Sequence, residues 1–264
     1  MNWTAISDKL LDPYDVRARL LPGLLVLLPA ILYLTLLLGT KSPVVVGLSS
    51  VLVTCGGPHL LSSFIRTWGQ RAQNCLYQRW GGQPSTILLR HRDTTLPTPT
   101  KHRYHELATA RLGVAMPSAE EELRDSVQAD LAYAAAADKL RPQTNDRKEF
   151  PFIFKELMAY GFNRNAYGVR WVGFSVAILI VITTLANAEA FALESPYWRT
   201  PELDNAHTIV LVLSLTMAVL WCAHFTGETV RLAGVSYAKR LWEALDRVPQ
   251  KSSRAPRKRP VSAA

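Results

Sequence analysis

Four stretches of the chain carry no Asp, Glu, Lys or Arg: residues 20–40, 42–65, 171–188 and 205–227. At about 1.5 Å of rise per residue, each is long enough for a helix to cross a hydrocarbon core of about 30 Å. The pattern predicts four transmembrane helices, near 20–39, 43–64, 171–191 and 206–225. Residues 40–42 leave room only for a tight hairpin between the first two. Ser195, Pro196, Tyr197 and Trp198 read as a turn with interfacial aromatics between the last two. Pro22 and Pro29 predict a bend in the first span. Gly47, Ser50 and Thr54 predict a close-packing face on the second.

Between these pairs the pattern is that of a soluble helical segment. Residues 66–80 continue from the second span, Gly81 and Gly82 end that run, and 85–89 reads as a strand or an extended connector. A helix is expected over 101–114. Ser118 and Glu121 form a capping box that opens a helix to about Leu140, stopped by Pro142, with Leu123, Val127, Leu131 and Ala135 as its apolar stripe. Phe150, Phe154, Leu157 and Met158 mark a further amphipathic helix leading into the third span. After the fourth span, Tyr237, Leu241, Trp242, Leu245 and Val248 recur at helical spacing, which suits either a bilayer surface or packing against the central region.

Charge sets the orientation. The 264 residues hold 30 Lys and Arg against 21 Asp and Glu, a net charge of +9, and a mean hydropathy of +0.05 that hides the segregation just described. All the basic residues except Lys41 and Arg199 fall outside the spans and the two short loops, which predicts cytoplasmic termini and a cytoplasmic central region. Asp8, Asp12 and Asp15 beside a long first run argue for a retained span rather than a signal peptide. Cys55, Cys75 and Cys222 form no disulfide framework or CxxC motif. The expected fold is an all-α integral membrane protein: four transmembrane helices as two hairpins plus a helical cytoplasmic domain. Its parts are 1–64, the cytoplasmic domain 65–170, the second hairpin 171–225, and 226–264 as an amphipathic helix with a basic, disordered tail. Lys251, Arg254, Arg257, Lys258 and Arg259 in that tail suit anionic membrane lipid.

Candidate chemistry concentrates in one place. His91, Arg92, Asp93, His102, Arg103 and His105 put three imidazoles, a carboxylate and two guanidinium groups within fifteen residues. Arg92 and Arg103 are suited to clamp a phosphate or nucleotide. His102 and His105, three apart, are suited to a metal with His91 or Asp93. The plainer alternative is a charged loop tied to its helix by Arg92 or Arg103 pairing with Asp93. Ligand binding is therefore assigned to His91, Arg92, Asp93, Arg103 and His105, with no catalytic residue, metal or cofactor. Cys55 with His59, and Cys222 with His224, read as packing and interfacial groups, and Asn187 and Glu189 as interfacial. Phosphate-loop, GxSxG, HExxH and Rossmann motifs are missing from the sequence.

Three groups of residues carry a resemblance: the run from Asp12 to Pro22; Leu89 to Thr95 with Lys101, Arg103, Tyr104 and His105; and Phe154 to Glu156 with Tyr160 to Asn165. Together they resemble a family of bacterial inner-membrane proteins, some of which are similar to the transmembrane effectors of retron-type antiphage modules. Charge-free spans beside one charged, motif-dense cytoplasmic segment, together with this resemblance, predict a multi-pass inner-membrane effector or sensor that engages a protein, nucleotide or nucleic-acid ligand through residues 91–105 and, as a homo-oligomer, controls a membrane-perturbing helix bundle. The alternative expectation is a non-catalytic scaffold of a membrane complex.

Overall fold

A computed structural model describes residues 12–39, 42–43, 46–47, 50, 57–191 and 197–249. Its helices are α1 (Leu21–Leu36), α2 (Gly57–Trp80), α3 (Pro84–Ile87), α4 (Thr98–Leu107), α5 (Ala119–Arg124), α6 (Ser126–Gln143), α7 (Pro151–Asn187), α8 (Asn205–Ala223) and α9 (Gly227–Glu243). Among the described residues there is no strand, only an isolated antiparallel bridge between Phe191 and Trp198. The protein is all-helical and carries three helices long and apolar enough to cross a membrane: the run Pro13–Leu36, α7 and α8. Of the expected second span, 44–45, 48–49 and 51–56 lie outside the described residues, as does Thr54 of its predicted packing face; its last residues open α2. The basic tail, 251–259, also lies outside them.

The chain divides into two compact units. One comprises the chain up to Gly81 together with Lys155–Gly234. Here Val26, Ile65, Ala166, Val169, Ala177, Met217, Trp221 and Phe225 form a common core. Leu24, Ile31, Leu179, Ile182, Val212 and Val219 are exposed, the outward aliphatic face that a hydrocarbon solvent requires. Close approach depends on glycines. Gly168 lies against the backbone of Trp68 and Gly69, where a Cβ would come within 2.8 Å, and Gly173 accommodates the Trp221 ring. At 37 residues, α7 is about 55 Å long, so only its charge-free C-terminal half fits the hydrocarbon. No break separates the amphipathic helix expected near 150–158 from the third span.

The other unit is Gly82–Phe154 with the segment from Val235 onward. Its core joins Leu88, Leu89, Tyr104, Ala108, Tyr133, Ala137 and Leu140 to Ala238, Leu241, Trp242, Leu245 and Val248. Of the two settings open for residues 237–248, packing against the central region is the one observed. The Trp242 indole N–H donates to the Ser85 carbonyl at 3.0 Å, and Arg111 donates to the Leu245 carbonyl and, at 2.7 Å, to that of Val248.

Several local expectations are corrected. Residues 84–87 form a helical turn because Pro84, with its fixed φ, occupies the first helical position. The helix expected over 101–114 starts at Thr98, loosens into a π-helical turn over Ala108–Leu112, and ends at Gly113, whose φ of +61° only glycine adopts without strain. The capping box is present as expected. The helix it opens breaks at Asp125, whose carboxylate accepts from the backbone of Val127 (3.1 Å) and Gln128 (3.0 Å) and starts α6 as a second N-cap. Pro142 is passed in the last turn rather than ending the helix. The apolar stripe is reversed: Leu123, Val127 and Leu131 are 86%, 70% and 59% exposed, while Ala129, Tyr133, Ala136, Ala137 and Leu140 face the core. Ala129, Tyr133, Ala136, Ala137 and Leu140, recurring at three- and four-residue spacing, define the buried side in place of the larger aliphatics.

Candidate functional site

The segment 89–95 crosses the N-terminal turns of α4 and α5 as a loop, and the polar residues around it are committed to its backbone. Lys101, only 4% exposed, directs its ammonium into the loop and donates to the carbonyls of Arg90 (2.6 Å), His91 (3.4 Å) and Asp93. A single buried cation thereby satisfies three carbonyls that have no helix to enter. The opposite side of the loop is held by Glu122. Its carboxylate accepts from the His91 N–H at 2.7 Å, the Arg92 N–H at 3.5 Å and the Tyr133 hydroxyl at 2.7 Å. Arg90 closes the knot with a two-pronged pair to Asp130, both bonds at 2.8 Å.

These contacts perturb titration. Burial pushes the Glu122 carboxyl up, but the bonds from His91, Tyr133 and Arg92 together outweigh it and hold the group below the usual carboxylate range. Tyr133 is driven well above the usual phenol range by burial and by its bond to the Glu122 carboxylate. Burial lowers the His105 imidazole; the bond to Leu89 opposes this in part, and neighbouring His91, His102 and Lys101 add to it.

His91, His102 and His105 are brought together. The His91 ring is 4.7 Å from His105 edge to face, and 6.0 Å from His102. They line a shallow groove of about 610 Å³ with Glu106, Met116 and Pro117. His91 Nε2 is 3.0 Å from the Pro117 carbonyl, and His105 Nε2 is 2.8 Å from that of Leu89. In the neutral form each ring donates there and keeps Nδ1 as an acceptor.

The remaining predicted residues are not gathered into this groove. Arg103 turns to Asp246 (2.6 Å), while Arg92, half exposed, lies 3.8 Å from Glu122 and 4.0 Å from Asp130. The two arginines therefore form no clamp. Neither pairs with Asp93, whose carboxylate instead accepts the Thr95 N–H at 2.9 Å. Among the described residues no three His, Cys, Asp or Glu side chains are placed to hold a metal. Hydroxyls near the imidazoles are also occupied: Thr109 donates to the His105 carbonyl at 3.0 Å, and Ser118 accepts in the capping box. No nucleophile and base are paired here.

Elsewhere, His59, Cys222 and His224 are exposed, and Cys55 lies outside the described residues. Asn187 meets His207 at 3.4 Å, and Glu189 adopts a φ of +54° in the turn that follows α7. Lys101, Glu122 and Tyr133 were missed in the sequence as members of this site. The signal for Lys101 was its place between the prolines and the histidines of α4, on the helix face toward the loop. No protein-family model, curated protein or solved structure matches the chain.

Proposed function

We propose that this is a non-catalytic, multi-pass effector or sensor of the bacterial inner membrane, and that its helical cytoplasmic unit works by bringing copies of the chain together. Four spans, with both termini cytoplasmic, are part of this reading. It is supported by the core that residues 82–154 share with 237–248, since a common core requires both segments to lie on one side of the bilayer. Two apolar helices, α7 and α8, lie between them, and two crossings return the chain to the side it left.

The observation that carries the reading is the exposed row of Val127, Leu131 and Ala135 along α6, with Leu123 exposed on α5, on a unit whose Lys101 and Glu122 are committed to its own backbone. Its occupant is a second copy of the chain. An antiparallel two-fold pairing of α6 sets Val127 against Leu131 and places the acidic end, with Glu120 and Glu121, at the level of Asp138 and Lys139 of the other copy. An anionic membrane surface is disfavoured by the same acidic end. Burying a Leu or Val contributes about 1.5–3 kcal/mol, against an association penalty of about 4–15 kcal/mol. The contact is thus weak in solution and relies on confinement in the membrane, which raises the effective concentration.

The test uses the full chain in native membranes with Cys55, Cys75 and Cys222 replaced by Ser. Val127→Cys together with Leu131→Cys is expected to give an intermolecular disulfide, and Leu131→Glu in the otherwise native chain to convert the dimer to monomer on native gels. A chain that stays monomeric at every expression level and forms no cross-link refutes the reading.

A further inference from the structure

Between Asp15 and Asp93 the sequence contains no acidic residue, while Arg17, Arg19, Lys41, Arg66, Arg71, Arg79, Arg90 and Arg92 all fall there. Within the unit formed by the chain up to Gly81 and Lys155–Gly234, much of this charge converges on one level. Helices α2 and α7 touch where Gly168 meets the backbone of Trp68 and Gly69. Arg66, Arg71, Arg164 and Arg170 all lie within about 6 Å of that crossing, measured along the two helix axes. Asn165, less than one turn from Gly168, binds the Ala18 carbonyl, which brings Arg17 and Arg19 to the same level.

The six guanidinium groups are unequally engaged. Arg19 pairs with Asp15, and Arg164 donates to Gln73 at 2.9 Å and to Asn165 at 3.1 Å. Arg170 lies over the rings of Tyr167 and Trp171, at 4.4 and 4.9 Å. Arg17, Arg66 and Arg71 are exposed and pair with no carboxylate among the described residues.

The surface changes character along both helices. On α2, exposed Leu60 and Phe64 give way to half-exposed Trp68 and then to Arg71. On α7, exposed Leu179 and Ile182 are followed, toward the N-terminus, by Trp171 at 61% exposure and then by Arg170. Aliphatic, then tryptophan, then arginine is the order met on leaving a hydrocarbon core for its headgroup layer.

We propose that this collar, with Arg66, Arg71 and Arg170 spread around the α2–α7 pair at one level, holds anionic phospholipid at the protein surface, each exposed guanidinium taking a headgroup phosphate, so that such lipid is retained rather than exchanging with bulk lipid. Guanidinium forks match phosphate oxygens, and the flanking aliphatic wall and tryptophans hold acyl chains, which a soluble phosphate does not have. A zwitterionic headgroup is disfavoured because the exposed charges at this level are mainly guanidinium groups, and Asp15 is held by Arg19.

The test is native mass spectrometry of the full-length protein in detergent, titrated with phosphatidylglycerol, phosphatidylcholine or inorganic phosphate. Phosphatidylglycerol is expected to be retained about tenfold better than phosphatidylcholine, and millimolar inorganic phosphate not to displace it. Arg66→Gln with Arg170→Gln is expected to abolish the preference while leaving the helical circular dichroism unchanged. If that variant loses helicity, Arg17→Gln with Arg71→Gln, which removes no ion pair, is expected to give the same loss of preference. Equal retention of the two lipids, or a preference unchanged in the helical variant, overturns the proposal. Displacement by inorganic phosphate also overturns it, in favour of a free-anion site.

Discussion

The side-chain amide of Asn165 donates to the backbone carbonyl of Ala18 at 2.5 Å, in a site where both residues are fully buried. Four residues beyond Ala18 stands Pro22, which has no N–H to offer that carbonyl. The preceding turn, Val16–Leu20, is π-helical, as often happens where a ladder is interrupted. Asn165 thus repairs, from α7, a hydrogen bond that the proline removes near the start of the first span. Gly69 makes the repair possible, because a Cβ there would collide with the Asn165 amide oxygen.

Replacing Asn165 by Ala leaves the Ala18 carbonyl unsatisfied and is expected to lower stability by about 1–3 kcal/mol. Gly69→Ala is expected to be destabilising by a similar amount through overpacking. The two changes should not add: with the amide gone, the new methyl occupies vacated space, so the double variant is more stable than the sum predicts. Thermal unfolding of the four proteins in one detergent reads the cycle, and strict additivity would exclude the proposed contact.

Acid should loosen the unit built on 82–154 in two steps. His105 has a lowered native pKa because it is buried, so its neutral form is favoured by folding; that contribution is complete above the ordinary imidazole range and is lost as pH falls below it. Glu122, although burial opposes ionisation, is held below the usual carboxylate range by its three donors, so its contribution persists to lower pH and is lost as pH falls through the native value. Hydrogen exchange of α6 amides across pH is expected to show both losses. His105→Gln should remove the upper one and Glu122→Gln the lower. A pH profile unaltered by either change would show that these groups do not couple to folding.

How much of this was readable beforehand depended on whether a signal was local. The charge-free runs at 20–40, 171–188 and 205–227 carry their solvent in their composition, and the helices found there follow directly. Ser118 and Glu121 likewise needed only a three-residue spacing. The reversal of the Leu123 stripe has a different origin. α6 turns its alanines inward because Tyr133 and Leu140 meet Leu88, Leu89 and Trp242, residues distant in sequence. The same holds for His91, Arg92, Asp93, Arg103 and His105: their proximity was visible, but the groups that claim the loop, Lys101 and Glu122, and the partner of Arg103, Asp246, come from helices whose packing no local pattern encodes.

The number of crossings can be decided by parity. The Pro13–Leu36 run, α7 and α8 give three apolar helices, and the core shared by 82–154 and 237–248 places those two segments on one side whichever way the first part of the chain runs. The N-terminal flank, with Arg17 and Arg19, joins them on that side only if residues 43–64 also cross. Charge favours this outcome, since that stretch carries no Asp, Glu, Lys or Arg, and Lys41 is the one basic residue in the loop it would export. In spheroplasts of a strain making the chain with Cys55, Cys75 and Cys222 replaced by Ser, Arg199→Cys and Lys41→Cys are expected to react with a membrane-impermeant maleimide. Asp8→Cys and Lys139→Cys should react only after lysis. Reaction of Asp8→Cys in intact spheroplasts, with Lys41→Cys and Lys139→Cys shielded, would mean three crossings instead, and the first segment would then be a single span with its flank outside.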